Sequence, residues 1–222
     1  AFRGVAGIRL DQVKLKDEII FGLGQALSRL HRLSQDYVPA QYKRGDCAER
    51  IRWMEQVLSG FPDETAARKE VEILSGCLAA LPMTKDNYGL IHYDFETDNV
   101  FYDAEAACYR VIDFDDCVYH WYAVDVEQSL DSLQDVLPGE RQAQTAELFV
   151  TGYRGVMPLE DEMLHLLPVF RRYANLYGYV RILRSAAERW KHEPEWMHNL
   201  RLRLQQAANH RATEFGKPVL KG

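Results

Sequence analysis

Residues 92–103 read HYDFETDNVFYD, and residues 111–116 read VIDFDD. The first stretch carries a His, an Asn and four acids, and the second adds three more acids directly after Val and Ile. Carboxylates are strongly hydrated and seldom stand beside buried strands unless they cap, pair or act. The apolar runs around them define those strands. Tyr88 to His92, Asn99 to Tyr102 and Tyr109 to Phe114 are short, β-branched or aromatic runs, and residues 103–107 (DAEAA) form a turn that makes the last two a hairpin.

Outside this insert the period is helical. Residues 16–33 place Ile19, Ile20, Leu23, Ala26, Leu27, Leu30 and Leu33 on one stripe. Its FGLG looks like a phosphate-binding G-x-G, but no strand precedes it and the third glycine is missing, so two close-packing glycines in a helix are expected. A helix over 46–58 is predicted with Asp46 as N-cap and Ile51, Met54, Val57 and Leu58 inward. Another follows, capped by Asp63, with Ala67, Val71, Leu74, Leu78 and Leu81 on its inner face. After Asp116 the pattern predicts helices over 121–134, 139–153, 160–187 (broken near Pro168) and 193–214. Trp121, Tyr122, Tyr173, Tyr177, Tyr179, Trp190 and Trp196 read as core aromatics on these helices, although aromatic faces also bind quaternary amines. His31 and His120 read as packed or surface histidines. The fold class expected is α+β, mainly helical, with one small β insert that carries the acids.

The totals narrow the function classes. A chain of 222 residues with 47% hydrophobic and 27% charged residues has the profile of a globular protein with a sizeable core. Its net charge of −6 argues against nucleic-acid binding, which needs basic surface to neutralise phosphates. No apolar run is long enough for a membrane span. Cys47, Cys77, Cys108 and Cys117 have no C-x-x-C spacing and read as reduced thiols, which predicts a cytoplasmic protein.

A hairpin that returns the chain brings the ends of the three runs together, so Asp94, Asn99 and Asp113 can gather at one spot. Oxygen ligands select a hard cation, and Mg²⁺ takes one or two protein carboxylates and completes its shell with water and phosphate oxygens. Asn99 and Asp113 supply such an incomplete shell, which leaves Asp94 to accept a proton from an attacking hydroxyl. Phosphoryl transfer needs this combination. Taken singly, each of the three residues is explained by turn and capping chemistry. Together, at these spacings, they point to function. Glu96, Asp98 and Asp116 read as solvent-facing or capping acids.

The pair H-Y-D-F-E-T-D-N and V-I-D-F-D resembles the aminoglycoside phosphotransferase and choline kinase superfamily, small-molecule relatives of the protein kinases. Its catalytic loop reads H-G-D-x-x-x-x-N and its metal-binding segment I-D-F or I-D-W. The resemblance implies Asp94 as catalytic base, Asn99 and Asp113 as Mg²⁺ ligands, and ATP as co-substrate for a small-molecule hydroxyl. It implies that His92 supports the loop by packing and hydrogen bonding, and that Asp125, in WYAVDV, holds the loop through backbone N–H groups. Leu30-His31 also resembles a leucine-histidine pair that recurs there in the family. Asp113 lies fourteen residues after Asn99, and the likeness runs over about residues 16 to 190. Two positions depart from the pattern. Tyr93 stands where the family has Gly, and Asp115 where protein kinases have Gly. Asp115 is read either as a contact to a second metal or as a solvated or capping acid.

The superfamily also has an N-terminal lobe, a sheet with a phosphate-covering loop and a Lys on the α- and β-phosphates. Nothing before residue 16 resembles it. The expectation is therefore a C-terminal lobe over 16–222, with 1–15 the remnant of an interlobe hinge, in a chain cut from a longer kinase. Alone, that lobe should turn over little. Two other readings stay open: a non-catalytic, kinase-derived binding or regulatory module, and a metal-dependent hydrolase, which needs more bridging ligands.

Overall fold

Register explains how the two acidic stretches meet. In chain order the elements are β1 (Ile8–Arg9), α1 (Asp17–Ser34), α2 (Cys47–Ser59), α3 (Thr65–Ala79), β2 (Tyr88–Ile91), β3 (Val100–Asp103), β4 (Cys108–Val111), β5 (Val118–Trp121), α4 (Ala123–Val136), α5 (Gln142–Arg154), α6 (Asp161–His165), α7 (Leu167–Ala187) and α8 (Glu195–Arg211). They come from a computed structural model that describes residues 4–187, 190 and 192–217. β2 and β5 pair antiparallel, with Ile91 opposite Val118. β1, β3 and β4 form a second antiparallel sheet in that order, with Val100 opposite Val111. Residues 92–99 leave β2 and enter β3. Residues 112–117 leave β4 and enter β5. Both antiparallel pairings therefore bring the two loops to the same end of their strands.

The chain divides into two compact units, Ala1–Asp46 with Met83–Leu167 and Cys47–Pro82 with Pro168–Gly222. The first holds both sheets, α1, α4, α5 and α6. Its core includes Ile20, Leu27, Val100, Val124, Val126 and Phe149, all fully buried. α1 buries Ile20, Leu23, Gly24, Leu27 and His31 at helical spacing, and α5 buries Thr145, Phe149, Gly152 and Tyr153. The two helices approach backbone to backbone. A Cβ on Gly24 would lie 2.1 Å from the Phe149 carbonyl oxygen, and one on Gly152 would lie 2.0 Å from that of Phe21. The FGLG stretch thus works as helix packing, and Gly22 likewise lies against the Tyr109 ring.

The second unit holds α2, α3, α7 and α8, with Met54, Leu58, Leu74, Phe170, Tyr173 and Val180 in its core. Glu70, fully buried on α3, receives both arms of Arg172, with Nε on Oε1 at 2.7 Å, and the backbone N–H of Gly216 at 2.9 Å. A buried carboxylate is tolerable on these terms because its charge and lone pairs are met.

Several expectations need correction. There are five strands among the described residues, not three. Val118–Trp121, expected to lead into a helix, is extended because it completes the ladder with β2. Ile8–Arg9 pairs with Phe101–Tyr102. The strand expected to reach Phe114 stops at Val111, since Asp113 takes φ 63° and breaks the extended run. The break expected near Pro168 is present and falls at Leu166, which leaves Pro168 in the first turn of α7, where an absent N–H costs no intrahelical bond. Leu33 is 74% exposed because the inward stripe of α1 ends at His31. The N-cap of α3 is Glu64, without a side-chain bond, rather than Asp63. Trp190 and Trp196 are exposed, whereas Trp121, Tyr122, Tyr173 and Tyr179 are buried. All four cysteines are free thiols. Among the described residues, no helix is long and apolar enough to cross a membrane.

Candidate active site

The loop of residues 92–99 is held from below by one carboxylate. Asp125, in the first turn of α4, is fully buried. Its Oδ2 accepts the backbone N–H of His92 and its Oδ1 that of Tyr93, both at 2.8 Å. His31 Nε2 lies 3.1 Å from the same Oδ2, and His31 Nδ1 lies 2.8 Å from the Tyr153 hydroxyl. Burial pushes the Tyr153 phenol well above its ordinary pKa, so it keeps its proton and donates to Nδ1. Nε2 then carries the hydrogen directed at Asp125. The His31 ring is stacked on Tyr122, with centroids 4.5 Å apart.

The clamp holds an unusual backbone. Tyr93 has φ 65°, a left-handed conformation that costs an L-residue roughly 1–2 kcal/mol. The bond from its N–H to Asp125 and the burial of its ring offset that cost. Further along, Thr97 N–H donates to Ser132 Oγ at 2.9 Å, and Ser129 Oγ donates to the Phe95 carbonyl at 3.0 Å. Asp125, Ser129 and Ser132 stand at i, i+4 and i+7, so one face of α4 presents three polar groups to the loop.

His92 joins this loop to the other. Its Nε2 lies 2.9 Å from the Ile112 carbonyl, which can only accept, so Nε2 donates. Nδ1 is left as the acceptor for the Asp94 N–H at 3.2 Å. Phe114 packs edge-on to the ring at 4.6 Å. The residues on either side of Asp113 are thus both attached to His92. Asp113 itself is exposed at φ 63°. Arg44 fixes the outer part of that loop by donating to the carbonyls of Phe114 and Asp115 at 3.2 and 2.7 Å.

Asp94 and Asn99 meet directly. Asn99 Nδ2 donates to Asp94 Oδ2 at 2.7 Å and to the Asp94 carbonyl at 3.0 Å. Both amide hydrogens serve Asp94, so Asn99 Oδ1 is the oxygen left to face elsewhere. Burial raises the pKa of Asp94, and the proximity of Asp98 and Asp116 adds to the rise. The Asn99 bond and His92 act in the opposite direction.

The structure therefore links His92, Asp94, Asn99 and Asp125 by hydrogen bonds and sets Asp113 between two neighbours of His92. Asp115 is exposed, and its carbonyl accepts a hydrogen bond from Arg44. No group of three or more His, Cys, Asp or Glu side chains among the described residues can hold a metal ion. Any ion here would draw most of its shell from other sources. Sequence reasoning missed Tyr153, Ser129 and Ser132 and left His31 undecided. The available signal was polar residues at inward helical positions.

Residues 1–166 match the family model of APH, the phosphotransferase enzyme family. The chain belongs to this family. It is similar to amicoumacin kinase of Bacillus subtilis, 27% identical over 184 residues, which cover 78% of this chain and 53% of that protein. It is also similar to homoserine kinase of Rhodospirillum rubrum, 29% identical over 189 residues, covering 80% and 58%. The chain thus spans a little over half the length of these two curated relatives. Among solved structures, an amicoumacin kinase in complex with AMP-PNP and Ca²⁺ superposes with a TM-score of 0.72 at 23% identity, over 96% of this chain and 65% of that one. A microcompartment-associated aminopropanol kinase gives 0.63 at 22% identity, covering 95% and 65%. At these identities the likeness concerns the fold, which in this phosphotransferase-family chain is mostly helical with small antiparallel sheets.

Proposed function

We propose that this chain is the helical C-terminal lobe of a kinase-like phosphotransferase that moves the γ-phosphoryl group of ATP to a hydroxyl of a small molecule. Asp94 is the base in this reading. Its carboxylate is half-buried, is oriented by Asn99 and has a pKa raised by burial, so it takes up a proton more readily than a solvated aspartate. The proton it accepts is that of the substrate hydroxyl as the oxygen attacks phosphorus. His92 and Asp125 hold the loop and take no part in proton transfer, because both ring nitrogens of His92 are committed to backbone partners.

Asn99 Oδ1 and the Asp113 carboxylate are the atoms for a divalent ion, Mg²⁺ by the oxygen-only donor set, with Asp115 a candidate for a second contact. Two protein ligands suit an ion that keeps water and phosphate oxygens. The bound ion would neutralise phosphate charge. The relatives named as amicoumacin kinase and homoserine kinase support a small-molecule acceptor. The observation that carries the reading is the pairing of Asp94 with Asn99 on a loop whose first two N–H groups both end on Asp125.

The test has two arms. In the natural gene product that contains this sequence, Asp94→Asn should lower kcat for ATP-dependent phosphorylation by about 10²-fold or more while leaving KM for ATP nearly unchanged. In this chain, Mn²⁺ binding followed by electron paramagnetic resonance should weaken in Asp113→Asn and Asn99→Ala. Full activity in the first arm removes the base. Unchanged Mn²⁺ affinity in the second removes the ligands and favours a non-catalytic binding module.

A further inference from the structure

Residues 112–117 join β4 to β5 and carry Asp113 at φ 63°, a conformation that persists in an L-residue only when its surroundings hold it. The Asp113 side chain is exposed, so the hold falls on the backbone at either side. Upstream, the Ile112 carbonyl accepts from His92 Nε2 at 2.9 Å. Downstream, Arg44 donates through Nη2 to the Phe114 carbonyl at 3.2 Å and through Nη1 to the Asp115 carbonyl at 2.7 Å. A planar guanidinium fork meets the carbonyls of two consecutive residues at once, whereas an ammonium is a point charge without that geometry.

Arg44 is itself anchored. The Gly45 carbonyl accepts the Tyr119 N–H at 3.0 Å, Asp46 forms a parallel bridge to Tyr119, and the Lys43 ammonium stands 5.6 Å from the centre of the Tyr119 ring. Residues 43–46 are thus fastened to β5, the strand into which the Asp113 loop runs.

Charge and geometry make opposite demands on Arg44. A cation beside Asp113 and Asp115 repels a divalent ion, so by Coulomb's law alone the loop would bind one more tightly without it. A loop free to relax at Asp113 would bind more weakly, because the ion would then have to order its own ligand. The guanidinium is exposed, so water and salt screen its charge. Lost hydrogen bonds around a metal ligand weaken binding by about 10- to 100-fold, so geometry should win.

We propose that Arg44 is a positioning residue: by fixing the carbonyls of Phe114 and Asp115 it raises the affinity of Asp113 for a divalent cation, against the sign of its own charge. This rests on the reading of Asp113 as a metal ligand.

Mn²⁺ titration of the whole chain, followed by electron paramagnetic resonance, tests it in Arg44→Gln, Arg44→Lys and Lys43→Gln. Both side chains are exposed, so folding is spared. The two Arg44 variants should bind Mn²⁺ about tenfold more weakly. In both, the NMR signals of the Asp115 and Asp116 amides, which adjoin the two carbonyls, should shift. Lys43→Gln should bind at least as tightly as the wild type. Unchanged or tighter binding in Arg44→Gln overturns the proposal, because charge would then outweigh geometry. Wild-type affinity in Arg44→Lys overturns it too, because charge alone would then suffice, and so does equal weakening in Lys43→Gln. Asp113→Asn separates the two levels. If that variant binds Mn²⁺ as the wild type does, the ligand assignment fails and Arg44 falls with it; if it weakens binding while the Arg44 variants do not, only the role of Arg44 is lost.

Discussion

Asp125→Asn is close to isosteric, yet the geometry makes it costly. The carboxylate accepts three hydrogen bonds at 2.8, 2.8 and 3.1 Å in a place with no solvent. An Asn can keep its oxygen at the Oδ2 position, facing the His92 N–H and His31 Nε2. Its NH₂ then replaces Oδ1 and points at the Tyr93 N–H, donor against donor. One buried backbone donor and one amide donor are stranded, at roughly 1–3 kcal/mol each, and two charge-assisted bonds become ordinary ones. The expected loss of stability is about 3–5 kcal/mol. At roughly 2–4 °C per kcal/mol for a chain of this size, the midpoint should fall by about 10 °C. Because Tyr93 sits at positive φ and loses its anchor, the damage should show first in the loop. Urea denaturation gives the energy, and hydrogen exchange at the His92 and Tyr93 amides gives the location. A loss under about 1 kcal/mol, with both amides still protected, would refute the clamp.

Gly24→Ala sets two effects against each other. Helix propensity favours Ala by roughly 1 kcal/mol, but the new Cβ would stand 2.1 Å from the Phe149 carbonyl oxygen. Backbone cannot yield there as a side-chain tip can, so overpacking should win by about 2–3 kcal/mol in thermal unfolding; a stabilised variant would show that α1 and α5 do not touch here. Asp94→Asn should raise the melting temperature near neutral pH. The fold raises the pKa of Asp94, so it favours the protonated form, and ionisation removes stability as pH climbs from roughly 3.9 through the folded value. The variant's advantage should vanish below that window, and a gain that persists in strong acid would point to a different cause.

Local sequence carried the helices and the hairpin because their signals are local. Apolar spacing sets Ile20, Leu23 and Leu27 on one face of α1, and the DAEAA turn closes β3 on β4, with Asp103 Oδ1 accepting the N–H groups of Glu105 and Ala106. The acid cluster was legible as a set of residue types at fixed spacing. β5 was not legible, since four residues are extended only because β2 lies beside them. The break at Asp113 was equally hidden, as a positive φ in a non-glycine is chosen by its neighbours and not by its own preference.

Sequence alone thus determined which side chains are available for chemistry and which helical faces turn inward, because both depend on residue type and short-range period. Tertiary structure decided what those side chains do to one another. The turn of Asn99 toward Asp94, the commitment of both His92 nitrogens and the route from Tyr153 through His31 to Asp125 join residues up to 122 positions apart. Hydrogen bonds act over about 3 Å, so such links exist only once packing has brought distant segments together.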